Sequence, residues 1–264
     1  MDPGRPTALV TGASSGIGRA FAELLARDHY NVVLVARSGA TLEELAADLH
    51  ARFGSASLAI ASDLARPGAA QELYDTVAAT GAFVEVLVNS AGFGTYGLFA
   101  ELPLAVERDE VNLNVLALTE LTKLFVGPMI ERTRGRILNV ASTASFQPGP
   151  LMAVYYATKA YVLSFSEAIS SELEGTGVTV TCLCPGATAT GFQARAKLEA
   201  SMLVRGRTLP DAMTVARAGY DAMLAGKRLV IPGAVNRVGS LISRVLPRGA
   251  TLRLVRAVQS SRKD

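Results

Sequence analysis

Residues 7–20 read TALVTGASSGIGRA, an apolar strand pattern that runs through a glycine-rich turn into a helix pattern. Glycine suits such a turn because a side chain there would collide with a bound nucleotide, whose phosphates are attracted by the free N–H groups of the helix. Gly12 suits the tight turn, Gly16 allows the backbone to approach the nucleotide closely, and Gly18 allows the helix to pack closely on the sheet. The spacing is G-x-x-x-G-x-G rather than G-x-G-x-x-G, so on its own the stretch leaves a tight turn without a ligand as the alternative.

Outward from this stretch, apolar runs rich in β-branched residues alternate with helix patterns. The runs predict seven strands: Thr7–Thr11, Asn31–Ala36, Ser57–Ser62, Val84–Asn89, Arg136–Ala141, Gly177–Cys184 and Arg228–Ile231. Helices are predicted to begin near Gly16, Thr41, Gly68, Leu104 and Ala153. This alternation is typical of βαβ units, whose strands form a buried parallel sheet. The predicted fold is therefore α/β: a single Rossmann-like doubly wound domain of about seven parallel strands with helices on both faces.

Composition narrows the class of protein. Half of the 264 residues are apolar and 19% are charged, which excludes a disordered, collagen-like or coiled-coil chain. Cys182 and Cys184 lie too close in sequence to provide the disulfide framework of a small secreted protein. Together with the two histidines they form no zinc-ligand pattern. Residues 1–6 lack the apolar core of a secretory signal, and the uncharged run 137–158 contains polar and proline residues. We expect a cytoplasmic protein without a metal ion, in which the run 137–158 does not form a spanning helix.

The C-terminal part differs from the rest in charge. Residues 226–264 contain nine Lys or Arg and one acid, Asp264, hence +8, whereas the first 225 residues carry 17 basic and 22 acidic groups, hence −5. A solvated or subunit-packing segment is the first interpretation. The second is a helix lying on an anionic membrane surface, because six apolar residues recur at helical spacing beside Arg237 and Arg244: Val235, Val238, Leu241, Ile242, Val245 and Leu246. Nucleic acid is not expected, since interleaved aromatic residues are lacking.

Further motifs follow the predicted strands. Asn89-Ser90-Ala91-Gly92 comes directly after the fourth strand, Ser142 ends the fifth, and Tyr155 and Lys159 lie in the helix that follows. Together with Thr11–Gly18, their order and spacing resemble the single-domain form of the short-chain dehydrogenase/reductase family, up to about residue 200. Ser90 stands where the family often has a second asparagine. The resemblance implies a nicotinamide-dependent oxidoreductase in which residues 1–225 form the dinucleotide-binding and catalytic part. Residues 226–264 would form the last strand and a basic C-terminal extension of the same domain.

The resemblance also implies the residues that hold the cofactor. Asp63 and Leu64, after the third strand, resemble the pair that contacts the adenine, although Asp63 could instead cap the next helix. The segment Cys184–Thr190 resembles the loop that covers the nicotinamide, with Thr188 on its carboxamide. The full predicted set is Gly12, Ser14, Ser15, Gly16, Ile17, Gly18, Arg37, Asp63, Leu64, Asn89, Ala91, Gly92, Tyr155, Lys159, Pro185, Gly186, Thr188 and Thr190.

The end of the second strand predicts NADP(H) rather than NAD(H). A site that prefers NAD places an acidic residue there, whose carboxylate binds the ribose hydroxyls and repels a 2′-phosphate. Here the strand ends in Ala36 and is followed by Arg37, so the repulsion is absent and a planar donor fork is available. The hydroxyls of Ser14 and Ser38 are expected nearby. An exposed arginine without a ligand is the alternative for Arg37.

The predicted catalytic residues are Asn112, Ser142, Tyr155 and Lys159. Tyr155 and Lys159 are spaced i, i+4, so one ammonium can lie near one phenol and lower its pKa from about 10. Ser142 can donate to a substrate oxygen, with Ser145 as the alternative. By resemblance, Tyr155 is the acid in reduction and the base in oxidation, and Asn112, for which Asn114 is the alternative, bends a helix and holds a relay water. Hydride then moves between the nicotinamide and a carbonyl or carbinol carbon.

Substrate choice is expected to lie in residues 94–96, 143–152 and 192–207. These segments and their surroundings supply an apolar lining, which favours a neutral ketone, aldehyde or secondary alcohol: Phe93, Tyr96, Phe146, Leu151, Met152, Phe192, Leu198, Met202 and Leu203. A catalytically idle NADP(H) sensor is the alternative function, and an epimerase or dehydratase is ranked last. By resemblance, the Tyr155 helix and the predicted helix 104–132 pack subunits into a homodimer or homotetramer.

Overall fold

A computed structural model describes residues 2, 4–192 and 209–259, and its centre is a seven-stranded parallel sheet. The strand order is β3-β2-β1-β4-β5-β6-β7, so the order reverses between β1 and β4. The strands are β1 Thr7–Thr11, β2 Asn31–Ala36, β3 Ser57–Ala61, β4 Val84–Asn89, β5 Gly135–Val140, β6 Val178–Leu183 and β7 Leu229–Val230. The predicted Rossmann-like α/β fold is confirmed.

The predicted strands agree with the observed ones to within one residue at each end. The bounds of β1, β2 and β4 are as predicted, because these strands are buried and their apolar runs end at turn residues. β7 is shorter than predicted, with two residues, because it is an edge strand that pairs with Cys182 and Leu183 of β6.

Nine helices are described. They are α1 Gly16–Arg27, α2 Gly39–Phe53, α3 Ala69–Ala78, α4 Leu104–Val111, α5 Leu118–Glu131, α6 Ala153–Glu172, α7 Ala212–Leu224, α8 Ala234–Val245 and α9 Arg248–Gln259. A π-helical segment, Asn112–Ala117, joins α4 to α5, and a 3₁₀ turn, Thr143–Phe146, follows β5. The start of α7 was not predicted, although Asp211 is an N-cap signal whose side chain accepts from Thr214 N at 2.7 Å.

Helices cover both faces of the sheet because successive strand residues point to opposite sides. Ala8 and Val10 of β1 pack in one core with residues of α1, α2 and α7, whereas Leu9 packs in a second core with residues of α3 and α5. The continuous helical stretch 104–131 is long and apolar enough to cross a membrane by length and composition. Its residues Leu121 and Phe125 lie in the second core, so it serves as a core helix of this fold.

Replacing Gly18 by alanine is expected to lower the free energy of unfolding by about 2–3 kcal/mol. A Cβ atom at Gly18 would lie 2.3 Å from the carbonyl oxygen of Gly12, so the turn after β1 would have to move. Urea unfolding measures the change. Gly127→Ala is the control, because a Cβ at this helical position meets nothing within 4 Å and should be neutral or stabilising. Equal losses in both variants would contradict the steric argument.

Candidate active site

The candidate site lies at the carboxyl ends of the strands, where the strand order reverses between β1 and β4. This is where ligands bind in open α/β sheets. The turns after the two strands are joined, because Thr11 Oγ1 accepts from the backbone N–H groups of Ser90 and Ala91, each at 3.0 Å. Gly12 lies so close to Ala91 that a Cβ atom would be 3.0 Å from its backbone nitrogen. Two of the predicted motifs therefore form one edge of a cleft.

The glycine turn has the geometry of an anion cradle. Gly12 and Gly16 have φ values of 69° and 56°, a conformation that favours glycine. Ser15 is the N-cap of α1, but its side chain makes no capping hydrogen bond to the first turn. Uncapped N–H groups at a helix N-terminus attract a phosphate. These residues therefore fit the pyrophosphate of a dinucleotide.

The loop after β6 lies against this turn. Thr190 faces Gly16, where a Cβ atom would be 3.0 Å from the Thr190 methyl group. Thr188 is buried and its hydroxyl donates to the carbonyl of Gly186 at 2.9 Å. The carbonyl of Pro185 accepts from Thr143 N at 2.9 Å, which ties the loop to the segment after β5. The structure thus brings the predicted residues 185–190 to the same cleft as the glycine turn.

The far end of the cleft carries a free cation and no acid at the end of β2. Ala36 pairs with Ala61, and Arg37 is exposed and forms no ion pair with any described residue. Ser38 is engaged with Thr41, since their hydroxyls are 2.8 Å apart. This arrangement leaves the Arg37 guanidinium available to an anionic ligand.

Residues 63 and 64 lie on the turn after β3. Asp63 is exposed and its carboxylate accepts from Ala65 N at 3.2 Å, so it stabilises its own turn. The helix that follows has Gly68 as its N-cap, so Asp63 does not cap it. Leu64 is buried.

Tyr155, Ser142 and Lys159 come together at the opposite end of the cleft. Lys159 is buried, its Nζ lies 5.8 Å from the centre of the Tyr155 ring, and it donates to the carbonyl of Val140 at 2.8 Å. Burial raises the pKa of the Tyr155 phenol, and a hydrogen bond with Ser142 offsets part of this rise. Burial also lowers the pKa of Lys159, to about 8. The sequence predicted a lowered phenol pKa, whereas its net direction in this structure is upward, because the loss of water on burial is the largest cause.

Two of the neighbouring residues have structural roles. The Ser145 hydroxyl is buried and donates to the backbone carbonyl of Lys159 at 2.7 Å, so it supports α6, and Ser142 remains the serine beside Tyr155. The Asn89 side chain, predicted among the cofactor residues, lies inside the sheet, where its Nδ2 donates to Thr122 and Asn139. These two hydrogen bonds hold the end of β4 in place.

The structure brings Asn114, rather than Asn112, to the site. The Asn114 Oδ1 accepts from Phe93 N at 3.2 Å, and its Nδ2 donates to the carbonyl of Phe93 and to Thr158. A Cβ atom at Gly92 would lie 3.0 Å from this Oδ1 and 3.5 Å from Lys159 Nζ. The Asn114 amide and the Lys159 ammonium therefore both lie next to Gly92. Residues two apart on a helix point to nearly opposite sides, which takes the Asn112 side chain away from the cluster. The assignment of Asn112 is corrected accordingly.

Gly94 was predicted as part of a substrate segment, yet its main effect is steric. A Cβ atom there would lie 2.8 Å from Cδ2 of Tyr155 and 3.0 Å from the Phe192 ring. The Tyr155 and Phe192 ring centres are 5.2 Å apart. The Tyr155 ring can therefore occupy this position only because residue 94 has no side chain.

A buried pair of carboxyl groups beside the site was missed by sequence reasoning. Thr95 Oγ1 lies 2.7 Å from an oxygen of Glu107 and 2.8 Å from an oxygen of Glu110, and both glutamates are buried. One hydroxyl has one proton to donate, so at least one of the two carboxyl groups is expected to be protonated and donate to it. Burial raises the pKa of Glu110 to about 7.

Replacing Glu110 by glutamine is expected to stabilise the protein at high pH. The folded-state pKa is raised above the unfolded value, so the stability that Glu110 contributes is full at low pH and is lost as pH rises through about 7. At about pH 8 the variant should exceed the parent by about 1–3 kcal/mol, and at about pH 4 the difference should vanish. Urea unfolding at both pH values measures this. The exposed Glu44→Gln should show no such dependence, and a pH-independent effect of Glu110→Gln would contradict the assignment.

The Tyr155 ring lies in an apolar cluster. Met152, Tyr96 and Phe192, all predicted to line the pocket, cluster with Tyr155, and Tyr156 is buried among them as packing. Val255 of α9 joins the same cluster, which the sequence did not suggest. α9 is tied there because Tyr96 donates to the carbonyl of Gln259 at 2.6 Å. The predicted residues Leu198, Met202 and Leu203 lie outside the described residues.

The chain is similar to known proteins in sequence and in fold. A family model described as short chain dehydrogenase matches residues 6–200. Over 181 residues the chain is 38% identical to a protein of Phaeosphaeria nodorum named very-long-chain 3-oxoacyl-CoA reductase, and the match covers 67% of this chain and 53% of that protein. The match thus spans about half the length of this relative.

Two solved structures share the fold along most of the chain. A short-chain dehydrogenase from Sphingobium yanoikuyae in complex with NADPH has a TM-score of 0.82 and 30% identity, and covers 98% of both chains. A short-chain dehydrogenase/reductase from Burkholderia phymatum in complex with NAD has a TM-score of 0.80 and 26% identity, and covers 90% of this chain and 92% of that one. The fold therefore accommodates either nicotinamide cofactor.

Proposed function

The chain belongs to the short-chain dehydrogenase family, and from this premise we propose that it is an NADP(H)-dependent oxidoreductase acting on a neutral carbonyl group or the corresponding secondary alcohol. The observation that carries the proposal is the meeting of Tyr155, Ser142 and Lys159 beside an apolar cluster, at the sheet edge that also carries the glycine turn. Residues 1–225 would form the dinucleotide-binding and catalytic part, and residues 226–264 the last strand and the basic extension.

The cofactor would lie along the cleft already described. The glycine turn 12–18 would bind the pyrophosphate, Arg37 the 2′-phosphate of the adenosine, and the loop 185–190 the nicotinamide end. The bound nicotinamide supplies or accepts the hydride. Arg37, which is exposed and pairs with no acid among the described residues, and the neutral Ala36 support NADP(H) over NAD(H), because a carboxylate at the end of β2 would repel the extra phosphate.

The protein residues would control the proton. During reduction the substrate oxygen gains negative charge, which the Ser142 hydroxyl stabilises by donating a hydrogen bond while Tyr155 donates the proton. The Tyr155 phenol carries its proton at neutral pH, because its pKa lies above the ordinary value of about 10, and it can deliver this proton to the substrate oxygen. Lys159, held at the carbonyl of Val140, is the nearby cation that stabilises the phenolate left behind. Asn114 would position the Phe93 backbone and Thr158 around it.

The substrate is proposed to be an apolar ketone or aldehyde. Tyr96 and Phe192 are partly buried side chains that pack in the same apolar cluster as Tyr155. The name of the Phaeosphaeria nodorum relative points to a 3-oxoacyl thioester as one member of this class. A 3-oxo group next to an alkyl chain would place its oxygen at Tyr155 and Ser142 and its chain on the apolar side.

A cytoplasmic location and a homo-oligomeric state are proposed together with the function. A cytoplasmic homodimer or homotetramer would bury the exposed apolar residues Val111, Leu116 and Tyr161, which lie on α4, the π-helical segment and α6. Such faces are typical of subunit contacts.

The test is turnover by the purified full chain. NADPH or NADH is mixed with a panel of neutral ketones, aldehydes and a 3-oxoacyl thioester, and loss of the reduced-nicotinamide absorbance is followed. Substrate-dependent oxidation of NADPH, faster than that of NADH, is the expected result. Tight binding of NADPH without turnover across the panel would instead favour the idle sensor.

A further inference from the structure

A surface helix normally turns its apolar face toward the protein core, but α8 turns its apolar face toward solvent. Its polar residues Asn236 and Ser240 face the protein body, and Ser240 is only 5% exposed. A Cβ atom at Gly186 would lie 2.6 Å from the Asn236 side chain, which shows how closely this face packs. The opposite face is apolar and open to solvent, with Val235 at 86% exposure. Its other exposed apolar residues are Val238, Leu241, Ile242 and Leu246.

This exposed apolar face is accompanied by positive charge. Arg237 is exposed on α8, and Arg248 and Arg253 are exposed on the neighbouring α9. α9 also exposes Leu252 and Leu254. The sequence from 226 to 259 contains no Asp or Glu at all, so no acid offsets these arginines within the segment.

We propose that α8, supported by α9, docks on the surface of an anionic phospholipid bilayer. A helix with an apolar face and neighbouring arginines lies in the plane of the membrane interface, with its apolar side chains among the acyl chains and its cations at the headgroups. Both features face outward here, where a bilayer can reach them. The arginines select the acidic headgroups, since each basic residue near such a surface adds to binding.

A second copy of the chain fits this surface less well. Most homodimers are twofold symmetric, so the same patch from each copy would meet, and residues 226–259 of one copy would bring no acidic residue to the arginines of the other. The bilayer interface provides instead what the patch lacks, an apolar layer bordered by negative charge.

The position of α8 has a consequence that rests on the proposed function. Asn236 packs on Gly186, whose neighbour Pro185 is bonded to Thr143 in the segment that follows β5. α8 therefore borders the nicotinamide end of the cleft. Docking would place the substrate side of the cleft near the bilayer, where apolar carbonyl compounds concentrate.

The test measures binding of the purified full chain to sucrose-loaded vesicles by sedimentation. One set of vesicles is phosphatidylcholine, and the other is phosphatidylcholine mixed with phosphatidylserine. We expect partitioning to the acidic vesicles at least about tenfold above that to neutral ones, and a decrease with salt. Leu241→Ser with Ile242→Ser should lower it at least about tenfold. Arg237→Ala and Arg253→Ala should each lower it about fivefold. These side chains are exposed, so folding should persist, as circular dichroism would show.

Leu104→Ser with Leu224→Ser is the matched control, because these two leucines lie on other helices and are together about as exposed as Leu241 and Ile242. This control should bind like the parent. Absence of binding to acidic vesicles by the folded parent would overturn the proposal, as would equal binding to both vesicle types. A dimer that dissociates when Leu241 and Ile242 are replaced would assign the surface to a second copy. Vesicle binding does not require turnover, so its outcome is separate from that of the proposed function.

Discussion

Replacing Tyr155 by phenylalanine is expected to lower kcat/KM for carbonyl reduction by about a thousandfold or more, while NADPH binding stays within about twofold of the parent. The substitution removes the acidic proton and leaves the ring, which packs against Phe192 at 5.2 Å and fills the space beside Gly94. The developing charge on the substrate oxygen would then have Ser142 as its described donor. Steady-state kinetics and quenching of NADPH fluorescence measure the two quantities.

The neighbouring tyrosine is the matched control. Tyr156 lies on the same helix and is also buried, and its hydroxyl is bonded to the Gln259 side chain rather than to the site. Tyr156→Phe should therefore keep kcat/KM within about tenfold and act mainly on stability, because it removes one buried hydrogen bond. Equal losses of activity in both variants would show that the effect of Tyr155→Phe comes from packing rather than from proton transfer.

Replacing Arg37 by alanine is expected to weaken NADPH about 10- to 100-fold and to leave NADH nearly unchanged. The guanidinium is exposed at the end of β2 and pairs with no described acid, so its contribution should appear in full when a 2′-phosphate binds. The KM of each cofactor in the same turnover assay measures the change, and raised salt should reduce it.

Arg52→Ala is the control for Arg37. Arg52 is near the other end of α2 and is paired with Asp48 at 2.8 Å. Its loss should change neither cofactor's KM. If Arg37→Ala weakens NADPH and NADH equally, the residue supports the fold of the β2 end rather than the phosphate, and the preference for NADP(H) fails.

Particular residues show how far sequence reasoning reached into the site. The glycine turn was predictable because strand, turn and helix are contiguous, so spacing along the chain fixes spacing in space. The meeting of Ser142 with Tyr155 followed from the rule that parallel strands present their carboxyl ends on one edge. The sequence pointed to Asn112, whereas Asn114 reaches the site. Residues two positions apart on a helix point in nearly opposite directions, and the π-helical segment shifts which residues share a face.

The remaining features needed contacts between distant parts of the chain. In the sequence, Glu107 and Glu110 look like ordinary exposed acids of a helix. Only the fold places the Thr95 hydroxyl between their carboxyl groups. Burial, and not the lysine one turn away, decides the direction of the Tyr155 pKa, and burial depends on every element packed around the ring.

By itself, the sequence determined the α/β class, the strand positions and the motifs of the cleft, because these depend on local patterns of period two or 3.6 and on turns between neighbouring elements. The tertiary structure decided which asparagine reaches the site, that α9 closes the substrate side through Val255, and that α8 turns its apolar face outward. The physical reason is that a helical pattern defines two faces, whereas only packing against the rest of the chain decides which of them is covered.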